Sequence, residues 1–167
     1  MGMFQLFKKK EILTPLKVSD DAIVAMADGE LIDVSTVSDP AFSKKLLGDS
    51  IAFAYSGDSV VVYAPANGVL SVLFPTGHAF GIIANDGVEL LVHIGVDTVN
   101  ADGDGFEMLN HKQGDHVSAG DPIVRVNLKK LSKAYDMSTM LIITNANEKK
   151  IQFIEPQAVK RGQSVIR

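Results

Sequence analysis

The sequence predicts an all-β domain, an antiparallel β-sandwich or barrel with few short helices. Three observations carry that prediction. Short strand-like runs, rich in β-branched residues and bounded by Gly, Asp, Asn or Pro, dominate the chain. A turn signal, Gly-Asp-x-(Ile/Val), recurs at Gly48–Ile51, Gly57–Val60, Gly114–Val117 and Gly120–Ile123. Finally, Asn85-Asp86-Gly87 separates two apolar runs, and an Asp-Gly turn is the strongest short-range signal for a hairpin.

Taken in order, the expected strands are Ile23–Ala27, Glu30–Val37, Ile51–Tyr55, Val60–Tyr63 and Val69–Phe74. The hairpin arms His78–Ala84 and Val88–Val96 follow, then Ile123–Asn127 and Met140–Thr144. Two short helices are expected. Pro40–Leu47 has Asp39 as N-cap and proline at the first helical position, where its missing N–H costs nothing. Leu128–Tyr135 follows Asn127, a good capping residue. The turn signal also appears in variant form at Ala27–Leu31 and Ala66–Leu70. It reads either as common turn chemistry or as the mark of an internally duplicated sheet motif.

The hairpin holds the most informative residues. If Asn85-Asp86 is a two-residue loop, Ala84 pairs with Gly87 and His78 falls opposite His93. Their Cβ atoms would then lie about 4.5–5.5 Å apart. That register puts His78, Phe80 and Ile82 with His93, Leu91 and Glu89 on one face. The core face would carry Ala79, Gly81 and Ile83 with Val92, Leu90 and Val88. Two imidazoles amid apolar side chains suit a docking surface with chemistry at its centre. A three-residue loop with Gly87 in a left-handed bulge shifts the pairing by one residue and separates the histidines. Periodicity leaves both registers open.

Composition bounds the function. At 167 residues and a net charge of −4, the chain has the length of one domain and lacks the basic stripe of nucleic-acid binders. With no cysteine, thiolate catalysis, disulfide scaffolds and cysteine-ligated metals are out, and a cytoplasmic setting is expected. Apolar runs such as Ala22–Ala27 are too short to span a membrane. The start of the chain, with basic residues after apolar ones, reverses a secretory leader.

The segments Asp39-Pro40-Ala41-Phe42 to Leu46-Leu47-Gly48-Asp49, Ala64-Pro65-Ala66-Asn67-Gly68 and Phe74–Phe80 form a recognisable series. It continues through Gly87–Thr98 (G-V-E-L-L-V-H-I-G-V-D-T), Gly103-Asp104-Gly105-Phe106 and Gly114–Ile123. From about Leu13 onward the chain resembles the glucose-type enzyme IIA component of the bacterial phosphoenolpyruvate-dependent sugar phosphotransferase system. The resemblance implies a β-sandwich of barrel-sandwich type with a duplicated hybrid motif, formed as a single domain over 13–167 behind a flexible or amphipathic leader, 1–12. In the leader, Met3, Phe4, Leu6 and Phe7 precede Lys8-Lys9-Lys10, an arrangement suited to weak membrane-surface contact.

The resemblance also implies a phosphorelay with a phosphohistidine intermediate. His93 would take a phosphoryl group on Nε2 from the histidine phosphocarrier protein and pass it to the IIB domain of a sugar permease. The Gly95 carbonyl would bond Nδ1–H and so leave Nε2 free to attack. His78 would stabilise phosphoryl charge, with Thr76 orienting it. Phe42, Phe80 and Leu91 would form an apolar docking ring, with Asp39 and Asp97 on its rim. His111 and His116 match no family site and read as surface residues. No cofactor is required, though zinc at His78 and His93 is conceivable in a complex, with a carboxylate from the partner.

Other classes compete. Tyr63–Val69 followed by Val117–Ile123 looks like biotinyl and lipoyl carrier domains, but no lysine occupies the Asn85-Asp86-Gly87 turn and no Met-Lys-Met occurs. Lysostaphin-type zinc peptidases share the sheet motif but need His-x-x-x-Asp and His-x-His. Here Ile82 follows His78 at the fourth position, and His93 stands between Val92 and Ile94. With two ligands at most, a catalytic zinc site is unfavourable. The third reading is regulatory: a protein-binding module switched when His93 becomes dianionic. With no membrane or IIB domain in the sequence, the chain is expected to act on other polypeptides.

Overall fold

A computed structural model describes residues 12–167. The expected leader from Met3 to Lys10 lies outside the described residues. Two antiparallel sheets face each other. The larger has eight strands in the order β11-β1-β2-β10-β6-β5-β4-β8, and the smaller has three, β3-β9-β7. In chain order they are β1 (Gly29–Ile32), β2 (Asp49–Ala54), β3 (Ser59–Tyr63), β4 (Gly68–Leu73), β5 (Ala79–Ala84) and β6 (Glu89–Ile94). The remainder are β7 (Phe106–Met108), β8 (His116–Val117), β9 (Pro122–Asn127), β10 (Thr139–Asn145) and β11 (Gln157–Val159).

The expected strands appear with local corrections. Ile23–Ala27 is buried but forms only an isolated bridge, Val24 with Ser164, because its backbone bonds are divided between different segments. Val24 N–H goes to the Pro65 carbonyl and Ala25 N–H to that of Gln163. The Glu30–Val37 run breaks at Asp33, whose side chain accepts the Ser35 N–H and starts a 3-10 turn at Val34–Thr36. Both helices are one turn long: Pro40–Ser43, capped by Asp39 as expected, and Leu128–Leu131, capped by Asn127. All four glycines of the Gly-Asp turns have positive φ, and each turn leads into a strand. That is what the turn reading requires.

The hairpin takes the other register. Gly87 sits at φ +90° and donates its N–H to Ala84 O, while Ala84 N–H pairs with Val88 O. Asn85-Asp86-Gly87 is thus a three-residue loop. It is pinned by Lys149 on the Asp86 carboxylate at 2.6 Å and by Asn147 on the Asp86 carbonyl. Ala79 pairs with His93, Gly81 with Leu91, and Phe80 with Val92. The two-residue loop, which set His78 opposite His93, is therefore corrected. A single-residue slip turns every side chain of an arm to the other face. Phe80 and Ile82 consequently join Leu90, Val92 and Ile94 in the main core between the sheets, together with Phe53, Leu70 and Leu141.

The opposite face of the large sheet supports the site. Along β10, Leu141 and Ile143 enter the main core, whereas Met140 and Ile142 enter a second, smaller one. There they meet Ala52, Val96, and Val34, Val37 and Phe42 from the connection after β1. β10 is accordingly apolar at consecutive positions, as a strand covered on both faces must be. Leu91 packs at the edge of this second core.

Candidate functional site

His93 lies on β6 on the outer face of the large sheet, between Ala79 of β5 and Met140 of β10. Its Nδ1 is 2.7 Å from the Gly95 carbonyl oxygen. A carbonyl can only accept, so Nδ1 carries the proton and the neutral ring keeps its lone pair on Nε2. Phe42 packs on the ring, with centroids 4.9 Å apart and planes at 50°. Burial pushes the His93 pKa below the ordinary imidazole value; the Gly95 bond and the charges of Asp39 and Asp97 oppose that shift. The net effect keeps the ring neutral, the form that can act as a nucleophile.

His78 is 5 % exposed and approaches His93 edge-on, with centroids 5.2 Å apart and planes at 77°. The encounter survives the corrected register because His78 precedes β5. Gly77, at φ +75°, closes a turn with its N–H on Phe74 O, and the His78 carbonyl accepts the Ile94 N–H at 2.7 Å. Outside the pleat, the ring is not bound by strand alternation. Thr76 Oγ1 lies 2.5 Å from His78 Nδ1, and Phe74 packs on the ring at 5.3 Å. Burial, and then the neighbouring His93, lower the His78 pKa.

The turn after β6 is demanding. Gly95 has φ +80°, and a Cβ there would collide with the Thr98 methyl. Asp97 adopts φ +60°, is exposed, and makes no side-chain cap bond to the 3-10 turn Thr98–Ala101. Asp39 is half-buried and spends one carboxylate oxygen on the Ala41 N–H at 2.8 Å.

The structure thus brings together His93, His78, Thr76, Gly95 and Phe42, with the charges of Asp39 and Asp97 near enough to act on His93. One expected ring member is corrected: Phe80 is 0 % exposed in the main core, a direct consequence of the register. Phe42, expected to be accessible, is buried at 6 % exposure against His93 and the second core. Leu91 is half-buried on the histidine face. Phe74, 40 % exposed, was not foreseen; an aromatic side chain directly before the Pro-Thr-Gly-His turn was its available signal. Val72, opposite Gly81, adds exposed apolar surface on the same face. His111 sits between the carboxylates of Asp115 and Asp121, 3.8 Å from each, and His116 is exposed on β8.

Comparison with known proteins decides the family. The family described as phosphoenolpyruvate-dependent sugar phosphotransferase system, EIIA 1, matches residues 21–149. The chain belongs to it. The glucose-specific EIIA component of Staphylococcus aureus (strain COL) is 39 % identical over 149 residues, covering 88 % of each chain. The glucose-specific EIICBA component of Staphylococcus carnosus is 38 % identical over 145 residues, 86 % of this chain but 21 % of that protein. This chain therefore spans about a fifth of the length of such EIICBA relatives. The solved structure of glucose permease IIA from Mycoplasma capricolum superposes with a TM-score of 0.80 at 38 % identity, covering 87 % of this chain and 93 % of that one. Among the described residues, no group of three or more His, Cys, Asp or Glu could hold a metal ion, and no helix is long and apolar enough to cross a membrane.

Proposed function

We propose that His93 accepts a phosphoryl group on Nε2 from the histidine phosphocarrier protein and passes it to the IIB domain of a sugar permease. The observation that carries this reading is the Nδ1–H bond to Gly95, which leaves Nε2 as the nucleophile beside His78. In the first transfer a P–N bond forms at His93 Nε2 as the donor's P–N bond breaks; in the second the His93 P–N bond breaks as a bond forms to the recipient's nucleophile, and His93, keeping its Nδ1 proton, leaves as a neutral imidazole. His78 meets the charge on the phosphoryl oxygens through the nitrogen not engaged by Thr76, and catalysis is mainly positioning and charge stabilisation. The docking surface is apolar, formed by Phe74, Val72 and Leu91 around the pair, with Asp39 and Asp97 steering a basic partner. The EIICBA names of the Staphylococcus carnosus relatives support a IIB partner. We read residues 13–167 as one EIIA domain acting in the cytoplasm, with the leader at 1–12 available for weak membrane-surface contact.

The exposed apolar face favours a second role, regulatory docking that phosphorylation of His93 would switch by adding nearly two negative charges. Zinc is no part of the main reading: two imidazoles fall short of a site, and only a partner's carboxylate could extend them. The test is phosphotransfer from labelled phosphoenolpyruvate through the two general phosphotransferase proteins to this chain, followed by addition of candidate IIB domains. Label arriving on the chain and moving to a IIB domain supports the reading; no label on the chain refutes it.

A further inference from the structure

The Gly87–Thr98 block ends on a buried threonine. Thr98 is 0 % exposed, and its hydroxyl donates to the Ile94 carbonyl at 2.6 Å. The other side of Ile94 is also held, since its N–H donates to the His78 carbonyl at 2.7 Å. The residue between His93 and Gly95 is therefore clamped at both backbone groups. Fixing the Ile94 carbonyl fixes the plane of the peptide leading into Gly95; the next peptide plane, which carries the carbonyl that accepts from His93 Nδ1, then turns only through the φ and ψ of Gly95. The Thr98 methyl closes the other side, occupying the space a Cβ on Gly95 would need. Gly95 N–H on Ser138 O at 3.0 Å and Val96 N–H on Asp136 O at 2.8 Å complete the frame.

We propose that Thr98 is a positioning residue for phosphoryl acceptance: through Ile94 and Gly95 it holds the His93 ring in the Nδ1–H tautomer with Nε2 free. The inference rests on His93 as acceptor. A serine would keep the hydroxyl and lose the methyl packing; a valine would keep the shape and lose the bond to Ile94. The two functions of the side chain are thus separable.

The test compares Thr98→Val and Thr98→Ser with the unaltered chain. Nitrogen-15 NMR of the His93 ring reads the tautomer, thermal unfolding reads stability, and the rate of phosphoryl acceptance from the phosphorylated histidine phosphocarrier protein reads function. We expect the unaltered chain to hold the Nδ1–H tautomer and Thr98→Val to show a mixture of tautomers. Thr98→Val should also accept phosphate roughly tenfold more slowly, in line with the sensitivity of transfer to misplaced groups. Thr98→Ser should keep the native tautomer and a rate within about twofold of the unaltered chain, even with lower thermal stability. A native tautomer in Thr98→Val, a changed tautomer without slower acceptance, or parallel losses in both variants that follow stability alone would each overturn the proposal. If Thr98→Val does not fold, Thr98→Ser decides: a native tautomer and rate support the proposal, and a disturbed tautomer overturns it. Failure of the unaltered chain to accept phosphate would instead defeat the His93 assignment, while the tautomer comparison would still judge Thr98.

Discussion

His78 and His93 meet edge to face, 5.2 Å between ring centroids, although the residue paired with His93 across the hairpin is Ala79. The contact is made by the turn at Gly77 rather than by cross-strand pairing. This separates the two roles in space: one ring stands on a strand with its tautomer set by Gly95, and the other leans in from a turn, tethered to Thr76.

His93 is expected to be the sole phosphorylation site. His93→Ala should carry no acid-labile phosphate after incubation with phosphoenolpyruvate and the two general proteins. Retained label would remove His93 from the role.

His78→Gln keeps a hydrogen-bond donor beside the phosphoryl group, so His93 should still be labelled. Onward transfer to a IIB domain should slow by roughly 100-fold or more, the scale of losing a charge-stabilising donor. Single-turnover kinetics of the two steps check this; equal loss of both would make His78 structural or a carrier itself.

The two faces of β6 respond differently to charge. Leu90→Asp places an unpaired carboxylate in the main core and should cost about 3 kcal/mol or more. Leu91→Asp, at the half-buried edge of the histidine face, should chiefly weaken binding of the phosphocarrier protein. Phe74→Ser should weaken docking with little loss of stability, whereas Phe80→Ala should destabilise by about 3–5 kcal/mol. Denaturant unfolding and titration calorimetry separate the outcomes. Docking lost in Phe80→Ala at full stability would contradict the register.

Asp97→Asn should leave the fold intact, because asparagine tolerates the left-handed conformation at φ +60°. It should reduce the salt dependence of association and move the His93 midpoint further down, since the Asp97 charge raises it. Stopped-flow association rates at several ionic strengths and an NMR titration test both parts.

Both histidines should titrate below the ordinary value of 6.5. Acceptance should therefore be flat at neutral pH and fall only on the acid side, once His93 is protonated on Nε2. The same shift affects stability. Below pH 6.5 the unfolded chain binds protons that the folded rings do not, so this contribution is present above 6.5 and declines as pH falls toward the lowered folded values. His93→Ala should raise the His78 midpoint, because His93 depresses it. A midpoint for His93 above 6.5 in an NMR titration would refute this account.

Much of the fold was legible because periodicity and turn chemistry act locally. The Gly-Asp turns, the Asp39 and Asn127 caps and most strands follow from neighbours in sequence. Strands of two or three residues, β7, β8 and β11, carry too few positions for a pattern and exist only because a longer strand lies beside them. Ile23–Ala27 failed as a strand for the converse reason: its apolar run is real and buried, but the backbone bonds go to Pro65 and Gln163 instead of a ladder.

The sequence by itself determined the all-β architecture, the family resemblance, and the grouping of His93, His78, Thr76 and Gly95 as the residues to watch. Only the tertiary structure decided which way the hairpin arms face. Asn85-Asp86-Gly87 serves a two- or a three-residue loop equally well, and both registers offer apolar residues to a core. What selects the second is packing: Phe80 and Ile82 fill the space between the sheets, while Met140, Ile142 and Phe42 build a second core beside His93. Register is a property of what covers each face, and the covering segments lie dozens of residues away in the chain.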